Sequence, residues 1–508
     1  MRPILALFAR ALTEEARLRR THLARAALLA VVLAMLLASH GSFTRVGAAG
    51  RNLFELVMLT NLFFLSVGGV TYLATAIAEE KEQQTLGLLR MTRLSPLAIL
   101  LGKGVSRMTG LCMLVLLQVP FTILTITLGG VSTLQIAAAY VSILAYVVLL
   151  TGLGLFCSVI MARPSTAATV TGLTTATFLL GPLAAELFSW TWPFNFLRDF
   201  LRECREFTPI GRLSDVFRSG FSGSAVNDVQ VWSNAGFGAV LLVAAWLLFD
   251  WFTREQKSAA PSRRLLSRSR RRLWFSAGPV WSDAVAWKDF NFIAGGETLI
   301  VARTVLYVLI GLVIYGWWIS QEASRGDASF EDLFGASTIA FSIILALEIA
   351  VAASRVFSTE IKWGTWSSLT LLPVPMGRIV LRKLSGTALG LAPAFLIWCV
   401  VTLLMFTQEG AEFAVGMLGL LAEGVFCAFI VMATSLHVKY GSIPIAAMIY
   451  FLFLVIVPVV LDWEWLVLLE WLGHPGEGEY WAGLLSRAPL AAFLGFHIMR
   501  RLKKLAAQ

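Results

Sequence analysis

EEKEQQTLGLLRMTRLSPLAILLGK, Glu79 to Lys103, is polar and charged through its first half, yet it stands between the apolar runs Leu53–Ala78 and Val105–Leu128. Each of those runs is long enough to cross a bilayer, which takes about 20 residues. A charged segment in that position is a turn at a membrane face. The number of such runs, and the side on which the charges fall, decides the fold.

Composition supports the same class. The chain has 508 residues, of which 57% are hydrophobic and 14% charged, with 17 Trp and a mean hydropathy of +0.76. Soluble domains have roughly 25% charged residues, so this is a polytopic membrane protein. Cys112, Cys157, Cys399 and Cys427 lie inside apolar runs and Cys204 has no evident mate, so the five cysteines read as small packing residues rather than a disulfide framework. The net charge of +10 does not point to nucleic acid, because the first use of Lys and Arg in such a chain is to set orientation.

Working outward, further apolar runs fall at Leu23–Ser39, Ile136–Met161, Ser165–Phe188 and Asn234–Trp251 in the first half. The second half has Leu299–Ile319, Leu333–Ala353, Leu384–Phe406, Ala411–Leu436, Ser442–Leu461 and Tyr480–Ile498. The expectation is an all-α fold of about twelve transmembrane helices, six per half: a first unit at residues 1–252, a basic linker at 253–278 and a second unit at 279–508. With the amino terminus inside, the inner segments carry Arg17, Arg19, Arg20, Lys81, Arg90, Arg93, Lys103, Arg163, the run SRRLLSRSRRR at Ser262–Arg272, Lys362, Arg378, Arg382, Lys383, Lys439 and RRLKK at Arg500–Lys504. The loop Asp462–Tyr480 on the opposite side has four glutamates and neither Lys nor Arg. Both termini are therefore expected in the cytoplasm. Arg45, Arg51 and five arginines within Trp190–Val231 are exceptions; the last five are mixed with acids in a segment long enough to weaken the rule. Met1–Arg20 and WSDAVAWKDFNF, Trp281–Phe292, read as amphipathic helices on the inner surface, entering each half in the same way, and FNFLRDFLRECREF reads as an interfacial helix on the outer face.

The opening stretch has a counterpart in EIKWGTWSSLTLLPVPMGRIVLRK, Glu360–Lys383. An ungapped offset of 280 (360 − 80) pairs Thr85 with Thr365, Leu89 with Leu369, Ile99 with Ile379 and Lys103 with Lys383. It holds upstream, at Leu53-Phe54 and Leu333-Phe334, and downstream, where Ser106 and Gly110 meet Gly386 and Gly390. Two unrelated loops would not keep the flanking spans in register, so the pattern predicts a tandem duplication of a six-span unit. An even number of spans gives both units one orientation, related by an axis along the membrane normal, unlike the inverted repeats of many transporters. Each charged stretch is expected to begin as a helical extension of the preceding span. LSPL or LPVP then breaks it before a short amphipathic return to the membrane.

The pattern E-(x)₄-T-(x)₃-L-(x)₁₃-K fits both stretches, as Glu80, Thr85, Leu89, Lys103 and as Glu360, Thr365, Leu369, Lys383. In that place within six spans it resembles the signature of ABC transporter permeases of the type-2 exporter class. The resemblance implies that these eight residues form coupling elements contacting ATP-binding subunits, and that the chain is the permease of an ATP-driven exporter in a bacterial inner membrane. Two such subunits are expected, holding ATP and Mg, with no cofactor on this chain. The family is more often one six-span unit that dimerises; a fused chain completes the membrane domain alone, which argues against a homodimer. Gln84 precedes Thr85 where the family has the Gly found at Gly364.

Other chemistry is sparse. No G-x-x-x-x-G-K-[ST] loop occurs, nor a G-x-S-x-G elbow, and His22, His40, His437, His474 and His497 lack metal spacing. No catalytic or metal site is therefore expected. Glu348 and Glu423 stand inside apolar runs, where a carboxylate is costly. They are candidates for the translocation path; pairing with a neighbouring helix is the alternative for Glu348, and packing is favoured for Glu423 in its Gly- and Ala-rich run. Ser106/Gly110 and Gly386/Gly390 have the small-(x)₃-small spacing that permits close helix packing. The competing class is an ATP-independent membrane protein, such as a lipid-handling enzyme or assembly scaffold. It would need reactive polar residues at one depth, whereas the strongest polar signals lie at the two charged stretches.

Overall fold

The computed structural model describes residues 9, 13, 19–41, 49–91, 95–187, 200, 202–218, 220–253, 279–325, 330–409, 411–438, 442–450 and 478–506. Most of Met1–Arg20, the linker from 254, part of the outer segment and the acidic loop to 477 lie outside them. Among the described residues the chain is helical, with no strand. Seven helices among the described residues are long and apolar enough to span a membrane, and they fall on seven of the apolar runs: Gly50–Glu82, Pro96–Thr127, Thr133–Ile160, Val229–Thr253, Gly296–Gly316, Ala340–Trp363 and Met376–Leu403. The protein is a multi-pass membrane protein. Its described residues divide into two compact units, 9–253 and 279–506.

In the first unit α1 is Arg19–Gly41. Helix α2 runs Ala49–Phe64, passes through a π-turn at Leu65–Gly69 and ends in Val70–Ala74. Two short helices follow, α3 (Ala78–Glu82) and α4 (Leu86–Met91), then α5 (Pro96–Leu116) and α6 (Val119–Thr127). The unit is completed by α7 (Thr133–Ile160), α8 (Pro164–Leu187), α9 (Pro209–Val216) and α10 (Val229–Thr253).

Helix α7 is the axis of this unit. A capping box starts it: Ser132 Oγ accepts from Gln135 N, and Gln135 Oε1 accepts from Ser132 N at 2.8 Å, satisfying donors that a helix start leaves open. Its backbone meets that of α10 at paired glycines, since a Cβ on Gly152 would overlap the carbonyl oxygen of Gly238. Its Ile143, Tyr146 and Val147 share one buried cluster with Val31, Leu53, Phe54 and Met58. Two pairs of polar side chains inside the unit satisfy each other. Asn61 and Gln118 exchange two hydrogen bonds, of 3.0 and 2.7 Å, and Ser66 Oγ lies 2.9 Å from Tyr146 Oη.

The second unit has α11 (Ala284–Phe292), α12 (Gly296–Arg325), α13 (Phe330–Arg355), α14 (Ser358–Trp363) and α15 (Trp366–Thr370). Then come α16 (Met376–Glu409), α17 (Ala411–Ser435), a helix at 442–450 and α18 (Gly478–Ala506). Helices α14, α15 and α16 begin 280 residues after α3, α4 and α5 (358 − 78, 366 − 86, 376 − 96).

Two expectations need correction. The charged stretch extends the preceding span only as far as Glu82 in the first half and Trp363 in the second; a turn then separates it from a second short helix, because Gln84 (φ +57°) and Gly364 (φ +68°) leave the right-handed region. Nor is there a separate amphipathic return. Ser95 Oγ caps Ala98 N, Pro96 takes a first-turn place where its missing N–H costs nothing, and α5 continues unbroken to Leu116.

Candidate functional site

The spacing E-(x)₄-T has a geometric cause. In the first elbow, α3–α4, Thr85 N donates to Glu80 O at 3.0 Å and Gln84 N to Lys81 O at 3.2 Å. With Gln84 left-handed, this is the six-to-one, five-to-two closure that ends many helices. It turns Thr85 back over the helix, and Thr85 Oγ1 donates to Glu80 Oε2. The other carboxylate oxygen, Oε1, accepts from Lys103 Nζ on α5. The elbow α14–α15 repeats every bond: Thr365 N to Glu360 O at 3.0 Å, Gly364 N to Ile361 O at 3.3 Å, Thr365 Oγ1 to Glu360 Oε2, and Lys383 Nζ to Glu360 Oε1 at 3.1 Å. The structure thus brings Glu, Thr and Lys of the motif together twice. Each clamp joins the end of one span, the elbow and the start of the next. Leu89 lies in α4, and Leu369, half-buried, in α15.

The clamps are unequally reinforced. Glu360 is 3% exposed and takes a second cation, Lys288 Nζ of α11, at 2.5 Å. Lys383, 0% exposed, also bonds Asp289 Oδ2 at 2.7 Å. Burial pushes the Asp289 carboxyl above the usual carboxylate range, against the pull of Lys383. Arg382 Nε reaches Asp283 Oδ2 at 3.1 Å, a further tie between α16 and the start of α11. At the first elbow the extra tie comes from α5: Arg107 bonds Thr75 Oγ1 at 2.9 Å and Glu79 Oε2 at 3.3 Å, with its guanidinium 5.0 Å above the Tyr72 ring. Beyond the clamps, exposed apolar side chains form the tips: Leu88 and Met91 (79% exposed) on α4, Trp363 (71%) ending α14, and Leu371 (85%) after α15.

The small-residue pairs separate. Gly386 and Gly390 are true close-approach sites, where a Cβ would overlap Ala286 O and Ala294 Cβ, so α16 packs directly on α11 and the turn after it. Ser106 is buried and bonds back to Lys103 O at 2.9 Å; the close approach on α5 falls at Gly104 against Leu155, while Gly110 is half-buried. Both intramembrane acids are bonded to neighbouring helices. Glu348 Oε1 accepts from Tyr307 Oη and lies 3.4 Å from Arg303 Nε, both on α12. Glu423 Oε2 accepts from Tyr450 Oη at 2.9 Å. No group of three or more His, Cys, Asp or Glu that could hold a metal occurs among the described residues. The motif singled out Glu, Thr and Lys but missed Lys288, Asp289 and Arg107. The one sequence signal for the first two was the charge of Lys288-Asp289 within an otherwise apolar amphipathic helix.

The helical fold and its long apolar helices define a multi-pass membrane protein in which the same Glu-Thr-Lys clamp occurs twice. Residues 47–249 match the family model described as ABC-2 family transporter protein, a segment running from the start of α2 through most of α10. Residues 47–249 thus carry an ABC type-2 membrane domain, which supports a permease component of an ABC transporter. No curated protein matches it.

Proposed function

We propose that this permease serves an ATP-driven exporter of a bacterial inner membrane and is built from two tandem six-span units. Its elbows α3–α4 and α14–α15 face the cytoplasm and each receives a separate ATP-binding subunit that holds ATP and Mg. The carrying observation is the same Glu-Thr-Lys clamp at both elbows, each ending in exposed apolar tips. A rigid elbow tied to two spans at once is a lever: a push on its tip moves both helix ends together instead of bending a loop. The tips supply what a docking contact needs, large apolar side chains that stand exposed. Both termini are cytoplasmic on this reading, and one chain completes the membrane domain without a second copy.

The test is co-purification of the ATP-binding subunit in mild detergent with Met91→Asp and Leu371→Asp variants. A carboxylate on an apolar contact lowers retention of the subunit while permease abundance and thermal stability stay unchanged, because both side chains are exposed. Full retention with both variants would remove the elbows as docking sites.

A further inference from the structure

The second unit contains a cavity of about 220 Å³ at the elbow end of α13, which the clamps do not use. Its charged lining is Arg303, Glu348 and Arg355, beside Thr387, whose hydroxyl is bonded to Lys383 O at 3.0 Å; Val351 and Leu391 are among its apolar walls. Sites for drug-sized ligands measure about 300–1,000 Å³, so this one admits a headgroup and not a whole amphiphile. An exposed face of α13 continues outward from the cavity. Ile343, Leu347, Val351 and Arg355 follow at four-residue intervals, one turn apart on the same side, and all four are exposed. An apolar stripe thus ends in a cation at the cavity.

Charge and hydrogen bonding specify the occupant. Arg303 and Glu348 neutralise each other across 3.4 Å, and Arg303 Nη1 also donates to Gly390 O at 3.1 Å. Arg355 forms no ion pair among the described residues, which leaves the cavity with one uncompensated positive charge. Glu348 Oε2 is buried without a hydrogen-bond partner, an oxygen that calls for a donor. We infer that this cavity holds the headgroup of a phospholipid bearing one anionic phosphate and free hydroxyls, of the phosphatidylglycerol type. The phosphate pairs with Arg355, a hydroxyl donates to Glu348 Oε2, and an acyl chain lies on Val351, Leu347 and Ile343. An ethanolamine headgroup would satisfy the same oxygen but bring a second positive charge and leave the site unbalanced. Basic pockets between membrane helices are recurrent headgroup sites. This site depends only on the chain residing in a bilayer, not on the transport reading.

The experiment is native mass spectrometry of the delipidated full-length permease titrated with phosphatidylglycerol, phosphatidylethanolamine or glycerol 3-phosphate. Phosphatidylglycerol is expected to be retained preferentially. Arg355→Ala should weaken that retention about fivefold, the effect of one basic residue at an anionic lipid surface, with Arg355→Lys restoring most of it. The exposed Arg378→Ala is the control for nonspecific charge. Equal loss in Arg378→Ala, equal retention of phosphatidylethanolamine, or equally strong binding of glycerol 3-phosphate would each overturn the assignment.

Discussion

Gln84 and Gly364 hold the same left-handed backbone at the same place in two elbows, one with a Cβ and one without. The Cβ crowds the following carbonyl at a cost of about 1–2 kcal/mol. Gln84→Gly removes that cost and gives part of it back as unfolded-chain entropy. It should stabilise the protein by up to about 1 kcal/mol, and Gly364→Ala should destabilise it by about 1 kcal/mol or more; thermal unfolding in detergent reads both. The clamp carboxylates also differ. At Glu360, buried and bonded to two lysines, Glu360→Lys would crowd three cations, and losing a buried pair costs about 3–5 kcal/mol. The Glu80 side chain is 20% exposed and has Lys103 as its ion-pair partner, so Glu80→Lys should cost distinctly less. Charge reversal at Glu360 therefore reports first on folding, and the exposed tips rather than the clamp acids test docking. Equal loss of stability in the two variants would contradict this ranking.

At the scale of elements, glycine decides which helices touch backbone to backbone. Helices α7 and α10 meet at Gly152 and Gly238, whereas Gly236, two residues earlier on α10, has open space where a Cβ would stand. Gly152→Leu forces the helices apart and should cost about 1–3 kcal/mol. Gly236→Leu should be neutral or slightly stabilising, since Gly is about 0.8–1 kcal/mol poorer than Ala in a helix. Unfolding midpoints of the two variants compare them directly, and similar midpoints would mean that the close approach does not support the unit. Gly386 and Gly390 give the second unit an equivalent dependence, fastening α11 to α16 beside Lys383. This packing places Asp289 and Lys288 within reach of the clamp.

For the whole molecule, the recurrence of the clamp at an offset of 280 residues predicts the composition of the complex. One permease chain should carry two ATP-binding subunits, a ratio that native mass measurement of the purified complex can read. Two permease chains in one complex would contradict it. The two elbows need not contribute equally, because α11 braces one and Arg107 the other. Comparing ATPase rates of complexes with Met91→Asp or Leu371→Asp should therefore show unequal losses, and identical rates would remove the asymmetry.

The sequence by itself determined the membrane class, the helical content, the offset of 280 and the identity of the clamp residues. These follow from local properties: the length of apolar runs, the distribution of charge, and a spacing that a helix-ending turn imposes on residues five apart. The break at Gln84 was hidden from that reading, because glutamine carries no sign of a left-handed turn and the surrounding residues favour helix. What covers each carboxylate was decided by tertiary structure alone. Lys288 and Glu360 are 72 residues apart in the chain, and Asp289 and Lys383 are 94 apart. Nothing local encodes either pairing; it arises because glycines on α16 let α11 lie close enough for the charges to meet. The same holds for Glu348, whose partners Arg303 and Tyr307 sit on another span. A lone acid in an apolar run advertises its cost, but only the packing of neighbouring helices shows which of its oxygens is satisfied and which is left open.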